Sequence, residues 1–449
     1  MQTNMAAQKT ISGFSKLSKL GKIKWLVENF FKDPEIVMHE LKSYWLADVH
    51  QQEVLDGISE NTISNYPLPL GVVPNFVLNG KTYCVPMVTE ESSVVAAASS
   101  AAKYWMERGG IHAEVIDTIK VGHVHFYWGG SPERLKEIFE SLKNELIADA
   151  TPLMEMMTRR GGGLKSLSWK SFADQEPGLF QLFAEFDTCD SMGANFINTV
   201  LERFSTTLQE FFEQSSLLKE EEREIDVIMS ILSNYTPDCL VRTWVECPIK
   251  DLGSFSGGFD AINFAERFYY AIGIAQVDTY RACTHNKGIF NGIDSVALAT
   301  GNDFRSIEAC GHTYASRSGK YKSLSQCSID RDTFRFWMDL PLAVGTIGGL
   351  TNLHPIAKRS LEMLENPDAK ELMMIIAATG LIQNFAAVRS LVTTGIQHGH
   401  MRMHLNNILS QVGANKEEKE AALIYFSDKT VSVNSVKNYL HQFKNALKL

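Results

Sequence analysis

Two charged side chains stand in a polar, glycine-punctuated stretch of the chain, residues 284–303, with the sequence THNKGIFNGIDSVALATGND. Lysine and aspartate are seldom fully buried unless they are paired, and glycines let a backbone approach a ligand or another segment closely. A lysine in such a place stabilises negative charge that develops in a reaction, and a nearby carboxylate tunes it. We therefore predict that this stretch is a poor core. Lys287 and Asp303 are expected to form an ion pair, either in an active site or as a structural salt bridge.

A second polar motif, DSMGAN at residues 190–195, lies between a predicted strand and a helix that starts near Ala194. Gly193 and the first free N–H groups of that helix are suited to hold a pyrophosphate, because backbone donors and the helix dipole favour anions there. A tight strand-to-helix turn with Asp190 as a cap explains the motif equally well. No GxGxxG motif follows a strand, so the sequence does not indicate a Rossmann domain.

Three histidines stand close together in residues 397–404, QHGHMRMH. His400 and His404 would share a face if a helix begins there. A zinc site would need a further Glu or Cys at ligand spacing, and the sequence offers none. We therefore predict no metal and favour His400 as a proton donor.

The composition restricts the class of protein. With 449 residues, 45% of them apolar, the chain is predicted to be a folded globular protein of two or three domains. Its formal charge of -9 and the lack of a basic block argue against a nucleic-acid surface. The best apolar run, residues 372–381, is shorter than the ~18 residues that span a bilayer, and the polar N-terminus does not resemble a secretory leader. The seven cysteines are scattered, so a reducing cytoplasm is the expected location.

Helical elements flank these candidate residues. An amphipathic helix is predicted over residues 14–30, beginning near Ser15, and a central buried helix over residues 91–108, where AAASSAA permits close packing. Glu90 and Glu91 stand at the start of that second helix. A carboxylate there either caps the first turn or, if buried, holds a proton that it gives up in a reaction.

The segment from residue 111 to residue 232 alternates strands and helices in a recognisable order. The predicted elements are a strand within 111–128, a helix from Ser131-Pro132, strands at 164–172 and 179–187, a helix from about 194, and a strand at 225–232. This β-α-β-β-α-β order is the ferredoxin-like pattern. We therefore predict an α+β fold in which a small ferredoxin-like domain is inserted into a larger mixed α/β domain with a central buried helix.

The predicted boundaries assign residues 1–109 and 234–394 to the larger domain and residues 110–233 to the insert. Residues 395–449 form a C-terminal region in which three short helices are predicted, near 400–412, 416–427 and 431–446, with Asn415 as an N-cap. Gly395 and Gly399 stand at the entry to this region. It either closes over a site as a lid or packs as a fixed tail.

Five separated motifs together make the chain similar to 3-hydroxy-3-methylglutaryl-CoA reductase, in its soluble bacterial form, class II. The resemblance covers nearly the whole chain and keeps the family's order. The motifs are PNFVLNGKTYCVPMVTEESSVVAAAS at 74–99, DSMGAN at 190–195, DTYRACTHNKGIFNGID at 278–294, ATGND at 299–303 and GIQHGHM at 395–401. The membrane-anchored class does not fit over its full length, because no anchor is predicted.

The resemblance implies roles for individual residues. The catalytic positions of the family fall on Glu91, Lys287 and Asp303, and on His400 in a mobile C-terminal flap. Positions that hold the substrate or support the lysine fall on Ser93, Arg281 and Asn291. The cofactor motif supplies Asp190, Met192, Gly193 and Asn195, and it differs from the family's DAMGAN by Ser191 in place of alanine.

The resemblance also implies a function and an assembly. The larger domain would bind the CoA substrate, the insert would bind a nicotinamide cofactor, and two hydride transfers would yield mevalonate and free CoA. The expected assembly is a homodimer, or a higher assembly of dimers, with active sites at the subunit interface. Two alternatives remain: NAD-dependent oxidation of mevalonate in catabolism, and a CoA- or nucleotide-binding homologue without catalysis. All four catalytic positions are filled, which argues against the last.

Two departures from the family's pattern bear on ligands. NAD-preferring members carry an acidic residue seven positions before a GGG run, where it bonds the ribose 2′-hydroxyl, and here that position is Met154. With Arg159 and Arg160 beside the glycines, a 2′-phosphate would meet positive charge, so NADPH is expected, with NADH as the alternative. The segment 60–69, ENTISNYPLP, is a loose version of the family's ENVIG region, which leaves substrate contacts from that segment open.

Overall fold

The computed structural model describes residues 9–255, 258–393, 405–406, 408–426, 429 and 431–446. Its strands are β1 (Leu70–Leu78), β2 (Lys81–Val88), β3 (His112–Val115), β4 (Lys120–Trp128), β5 (Gly163–Ser171), β6 (Leu179–Asp187), β7 (Ile225–Leu232), β8 (Leu240–Pro248), β9 (Ser325–Asp330) and β10 (Thr333–Pro341).

Helices join these strands. The first seven are α1 (Lys19–Phe30), α2 (Pro34–Ser43), α3 (Val49–Asp56), α4 (Val94–Met106), α5 (Pro132–Arg159), α6 (Ala194–Gln214) and α7 (Ala261–Val277). They are followed by α8 (Thr279–Ala299), α9 (Phe304–Ala315), α10 (Leu350–Leu353), α11 (Pro355–Met363), α12 (Ala369–Val392), α13 (Lys416–Tyr425) and α14 (Val433–Ala446). Short 3-10 turns lie at Phe14–Lys16, Glu220–Glu222 and Ile249–Leu252.

The helix predicted to begin near Ser15 begins later. Its N-cap is Ser18, whose hydroxyl accepts a hydrogen bond from the Gly21 amide at 3.1 Å, so α1 starts at the next residue. Ile23 and Val27 are its fully buried positions, as the predicted apolar face requires. The start was misplaced because the preceding 3-10 turn continues the same apolar spacing without being part of the helix.

The insert has the predicted ferredoxin-like topology. Its four strands form an antiparallel sheet in the order β5-β6-β4-β7, and side chains from α5 and α6 pack on one face of it. The core includes Phe126, Phe180, Leu142 and Phe204, all completely buried. The alternation of buried and exposed residues in these strands is why their bounds agree with the sequence prediction to within about a residue or two.

The strand predicted within 111–128 is in fact two strands that belong to different sheets. β3 pairs with β8 of the larger domain, with His112 opposite Trp244, whereas β4 pairs with β6 and β7 inside the insert. The insert therefore departs from the larger domain after Val115, later than the predicted boundary at residue 110. Apolar alternation continues through both strands, so the sequence pattern alone does not show the change of sheet.

The larger domain is organised around α12. Its sheet has the order β3-β8-β10-β9, and the hairpin β1-β2 lies beside it. The described residues contain one helix, Ala369–Val392, that is long and apolar enough to cross a membrane by length and composition, so the apolar run is longer than the predicted residues 372–381. The structure buries 83% of its apolar window inside the protein, which makes it a core helix, as the sequence reading proposed.

The stretch predicted to be a poor core is a core helix. Residues 284–299 belong to α8, and eleven residues of this helix are buried, among them His285, Asn286 and Phe290. Gly292 explains how α8 and α12 come so close, because a Cβ there would lie 2.8 Å from the Thr379 carbonyl oxygen. The glycine therefore serves the approach of another segment, which was one of its two predicted uses.

The C-terminal region has a small core of its own, formed by side chains such as Leu409, Ala422, Val436 and Leu440. Asn415 caps α13 as predicted, and it makes a capping box with Glu418. The motif at 395–401, both glycines and residues 400–404 of the first predicted helix lie outside the described residues.

Candidate active site

The structure brings Glu91 and Lys287 into direct contact, although 196 residues separate them in the chain. The Lys287 ammonium donates a hydrogen bond to Glu91 Oε2. Both side chains remain reachable from solvent, with 59% of Lys287 and 39% of Glu91 exposed. A cation and a carboxylate that touch at an accessible surface are able both to stabilise a developing oxyanion and to supply a proton to it.

Glu91 stands before α4 rather than in its first turn. The helix begins at Val94, its N-cap is Ser93, and no acidic residue lies in the first turn. The predicted capping role for a carboxylate here is therefore wrong. Ser93 has a left-handed backbone with φ of 78°, an uncommon conformation for a serine, and this sharp turn directs the chain from Glu91 into the helix.

Asp303 has a different partner from the predicted one. Its carboxylate is the N-cap of α9, accepting hydrogen bonds from the amides of Arg305 at 3.1 Å and Ser306 at 3.4 Å, and it also pairs with the Arg305 side chain. The predicted Lys287–Asp303 ion pair is thus not formed, and Glu91 takes that place beside the lysine. A helix N-terminus attracts a carboxylate as strongly as an exposed lysine does, so sequence alone does not decide between them.

Asp294 is a further residue of this neighbourhood that the sequence analysis did not single out. Its Oδ1 is buried without a hydrogen-bond partner among the described residues. Burial, followed by the carboxylates of Glu308 and Glu90, raises the pKa of Asp294 to about 8, against the opposing charge of Lys287. The residue therefore holds a proton close to neutral pH. The spacing of seven residues from Lys287 places both on one face of a helix, a signal that was open to sequence reasoning.

Arg281 and Asn291 lie on the same helix as Lys287. Asn291 is one turn beyond the lysine and half-buried, so it shares the lysine's face. Arg281 is also half-buried, and burial lowers the pKa of its guanidinium. No carboxylate of the described residues forms an ion pair with it, and its hydrogen-bond partner is the neutral ring of His285 at 3.5 Å. A partly desolvated cation of this kind is suited to bind an anionic group of a ligand.

The DSMGAN motif forms a tight turn at the start of α6. Gly193 is the N-cap with φ of 97°, and a Cβ there would overlap with the Thr188 side chain. The first turn of α6 contains no acidic residue, so its free N–H groups face no competing carboxylate of their own helix. Asn195 is exposed beside them, and Met192 is half-buried. Pyrophosphate binding at this turn stays a prediction.

Asp190 ties that turn to the larger domain. Its Oδ1 accepts a hydrogen bond from the Ala369 amide at 3.0 Å, at the start of α12, instead of capping α6. Its carbonyl oxygen accepts from the Thr346 amide at 2.9 Å. Gly345 lies against the same turn, since a Cβ there would be 2.5 Å from the Met192 nitrogen. Asp190 therefore anchors this turn to the larger domain.

The buried side chain of Lys120 holds the same turn by hydrogen bonds. The sequence analysis did not single out this residue. The side chain is 4% exposed, and its ammonium donates to Thr188 Oγ1 at 2.5 Å and to the Ser191 carbonyl oxygen at 3.0 Å. Burial lowers the pKa of this lysine, because it penalises the charged form. Nothing in the local pattern distinguishes Lys120 from an ordinary residue at a strand end.

Met154 does not face a ligand in this structure. Its side chain is 6% exposed and packs in the core of the insert. Arg159 and Arg160 are exposed at the end of α5, and Arg159 pairs with Glu155 at 2.5 Å. The expected preference for a 2′-phosphate therefore depends on the arginines, and chiefly on Arg160.

The predicted catalytic histidine, His400, lies outside the described residues, as do His398 and His404. Within the described part of the chain, no three His, Cys, Asp or Glu side chains are grouped as metal ligands. The catalytic role of His400 stays a prediction.

Comparison with known proteins identifies relatives along almost the whole chain. Residues 27–405 match the family described as hydroxymethylglutaryl-coenzyme A reductase. The chain is 35% identical over 444 residues to 3-hydroxy-3-methylglutaryl-coenzyme A reductase of Archaeoglobus fulgidus, covering 98% of this chain and 96% of that protein. It is 33% identical to the probable enzyme of Borreliella burgdorferi, covering 89% and 88% of the two chains.

Solved structures agree with the sequence relatives. The reductase of Streptococcus pneumoniae superposes with a TM-score of 0.70 at 36% identity, over 96% of this chain and 100% of that one. A structure of the class II enzyme from the same organism, bound to NADPH in open conformations, also gives a TM-score of 0.70 at 36% identity, over 91% and 99%.

Proposed function

This chain belongs to the hydroxymethylglutaryl-coenzyme A reductase family, and we propose that it reduces 3-hydroxy-3-methylglutaryl-CoA to mevalonate and free CoA with two hydrides from NADPH. The observation that carries the proposal is the contact between Glu91 and Lys287. This contact supports the proposal because an accessible ammonium can stabilise an oxyanion and an adjacent carboxyl group can take part in proton transfer. The cofactor supplies the hydrides, and the residues of the chain bind, orient and protonate.

The first reduction converts the thioester to a hemithioacetal. Hydride addition puts negative charge on the carbonyl oxygen, and the Lys287 ammonium stabilises that charge as it develops. The hemithioacetal then breaks its C–S bond, so that an aldehyde forms and the CoA thiolate leaves. A free thiol has a pKa of about 8.5 and an imidazolium about 6.5, so proton transfer from His400 to the thiolate runs downhill.

The second reduction acts on the aldehyde and produces the alkoxide of mevalonate, a far stronger base than a thiolate. Glu91 with Lys287, its hydrogen-bond donor, is proposed to supply this proton, which comes from the pair and not from the ionised carboxylate alone. Asp303 serves the site from the start of α9, where it holds the local backbone. Ser93 lies at the start of α4, next to Glu91, and Arg281 and Asn291 lie on α8 with Lys287. All three are proposed to bind the acyl group.

The cofactor motif is proposed to hold the dinucleotide at the N-terminus of α6. Asp190, Met192, Gly193 and Asn195 form the turn, and the absence of a Cβ at Gly193 lets the turn pack against Thr188. The relative solved with NADPH and the exposed Arg160 both favour NADPH over NADH. We also propose that the reaction runs in the biosynthetic direction, in the cytoplasm.

A direct assay tests these statements. Purified protein is incubated with 3-hydroxy-3-methylglutaryl-CoA and either NADPH or NADH, while the absorbance of the reduced nicotinamide is followed. We expect two NADPH consumed per acyl-CoA and weaker use of NADH. Mevalonate with NAD would be oxidised efficiently if the catabolic alternative were correct, and no turnover in either direction would favour a binding protein without catalysis.

A homodimer with shared active sites is part of the proposal. Lys287 is largely exposed in a single chain, and apolar side chains near the start of α8 and in the N-terminal segment are uncovered, with Tyr280 and Tyr66 each 90% exposed. A second copy would cover such a surface. Co-expressing Lys287→Ala with an inactive Gly193 variant tests this, because a shared site restores about a quarter of wild-type activity in the mixed population. No recovery would mean that each subunit works alone.

A further inference from the structure

A network of hydrogen bonds connects Arg281 to buried side chains of the larger domain, and these buried side chains have no part in the proposed chemistry. Arg281 donates to His285 Nδ1 at 3.5 Å, His285 Nε2 lies 2.6 Å from Ser325 Oγ, and Ser325 Oγ donates to Asn384 Oδ1 at 2.9 Å. His285, Ser325 and Asn384 are each at most 1% exposed. The network joins α8, β9 and α12, three separate elements of the larger domain.

The direction of each bond follows from the two ends. Asn384 Nδ2 donates to the His285 carbonyl oxygen at 3.3 Å, so the amide oxygen of Asn384 faces Ser325 and accepts its hydroxyl proton. Ser325 Oγ must then accept from His285 Nε2, which therefore carries the ring proton. Nδ1 is left bare as an acceptor for Arg281. The histidine is neutral, in the Nε2–H form.

The surroundings keep the ring in that form. His285 is buried, and burial together with the adjacent positive charge of Arg281 lowers its pKa to about 3. A second proton on the ring would place an N–H donor against a guanidinium, with a like charge beside it. The ring is therefore a fixed acceptor.

Arg281 and His285 are four residues apart on one helix, so their side chains meet on the same face. The guanidinium is long and flexible by itself, and a single fixed acceptor selects one of its rotamers. No carboxylate of the described residues pairs with it, so its charge stays available for an anion.

We propose that His285, held by Ser325 and Asn384, is a positioning residue that aims Arg281 at the free carboxylate of the 3-hydroxy-3-methylglutaryl group. The proposal rests on the proposed function. It predicts that the network sets the preference for an acyl-CoA with a terminal carboxylate and leaves the binding of the CoA portion and of NADPH unaffected.

The variant His285→Phe removes the acceptor and keeps a ring of similar size. We expect the inhibition constant of free 3-hydroxy-3-methylglutarate, and the KM for the acyl-CoA, to rise about tenfold, since a charge-assisted hydrogen bond that orients the arginine is lost. The inhibition constant of free CoA and the KM for NADPH should not change. His285→Asn keeps an acceptor near Arg281 and should recover part of the loss.

His312→Phe is the matched control. His312 is a half-buried histidine on the neighbouring α9, and its Nδ1 bonds the Tyr321 hydroxyl at 2.7 Å instead of Arg281. If both variants weaken the dicarboxylate equally, or if His285→Phe weakens CoA and NADPH as well, the positioning role is wrong. Ser325→Ala, which removes one buried hydroxyl and little volume, gives a milder version of the same test where His285→Phe folds poorly.

A second readout does not depend on turnover. In protein labelled with ¹⁵N-histidine, the resonances that disappear in His285→Phe should show a neutral ring with a protonated Nε2 and a bare Nδ1. A charged ring or the opposite tautomer would overturn the inference even if the enzyme reduced its substrate normally. If wild-type protein showed the expected tautomer but did not consume NADPH, the proposed function would fail and the geometry of the network would stand.

Discussion

Polar side chains on the two sides of α8 differ in charge and in exposure to solvent. On the outer side Lys287 is largely exposed and pairs with Glu91, while on the inner side the neutral side chains of His285 and Asn286 are buried and hydrogen-bonded. Formal charge is thus kept where a substrate reaches it, and neutral donors and acceptors are used where water is absent. The difference supports the proposal that the outer side carries the chemistry, while the buried hydrogen bonds make the inner side rigid.

The energetic reason is the cost of desolvation. An exposed ion pair contributes about 0–1 kcal/mol to stability, so it breaks and reforms easily during a reaction. A buried polar group that loses its partner costs about 1–3 kcal/mol, so the inner network resists rearrangement. Substitutions on the outer side are therefore expected to lower activity and leave stability unchanged, and substitutions on the inner side to lower stability and leave activity unchanged.

The largest effect is expected from Lys287→Ala. Loss of the ammonium removes the charge that stabilises the oxyanion, and kcat should fall by about 10³-fold, as when a strong oxyanion contact is deleted. The melting temperature should stay close to that of the wild type, because the ion pair is exposed. Lys103→Ala, at an exposed lysine of α4, is the control. Steady-state kinetics and thermal melts provide both numbers, and a large drop in stability would contradict the comparison.

A substitution on the inner side of α8 should lower stability and leave kcat nearly unchanged. Asn286 is fully buried, donates to the Lys322 carbonyl oxygen at 2.9 Å and accepts from the Leu324 amide at 3.0 Å. Asn286→Ala should lower the free energy of unfolding by about 2 kcal/mol, because two backbone groups lose their partner. Chemical denaturation measures it, with the exposed Asn263→Ala as control. The kcat of the folded fraction should change little, and a kcat loss as large as that of Lys287→Ala would remove the distinction.

A smaller effect, on the KM for NADPH, is expected from a substitution at Gly193, where backbone N–H groups are proposed to bind the cofactor. Gly193→Ala adds a Cβ at a left-handed position that is already filled by Thr188, so the turn must shift at a cost of about 1 kcal/mol or more. The KM for NADPH should rise several-fold while the inhibition constant of CoA stays the same. Gly129→Ala, in the same domain with open space around it, is the control. An unchanged KM would argue against this turn as the cofactor cradle.

The last prediction is a dependence of stability on pH that involves Asp294, whose pKa is influenced by Glu308, Glu90 and Lys287. Its pKa is raised in the folded protein, from its ordinary 3.8 to about 8. The folded state therefore holds a proton that the unfolded state has lost, and this contribution to stability declines as the pH rises from about 4 to 8. Asp294→Asn mimics the protonated acid. Its melting temperature relative to the wild type should increase with pH over that interval, and parallel curves would contradict the assignment.

Sequence patterns predicted the insert well because its strands and helices have regular periods and clear ends. The Ser131-Pro132 start, the turn around Gly178 and the alternation of β6 each appear where they were expected. The same reasoning misjudged α8, because a helix with polar and glycine positions looks unsuited to a core when considered alone. It is buried because α12 approaches it closely at Gly292, and that approach involves residues about ninety positions away.

For the candidate site, too, the sequence predicted some features and missed others. The residue types in the motifs indicated the chemistry and pointed to Glu91 and Lys287, but they did not show that these two pair with each other and that Asp303 pairs with Arg305. Lys120, His285 and Asp294 escaped notice because their importance lies in their burial and their partners. Those are properties of neighbours in space, which local patterns do not record.

By itself, the sequence determined the family and the ferredoxin-like insert and supplied the candidates for the reactive side chains, because short segments carry local periodicity and residue chemistry. Only the tertiary structure decided which charges meet, which polar groups lose their water, and which histidine is neutral. Those outcomes depend on distances between remote segments, and electrostatic and desolvation energies change steeply with such distances.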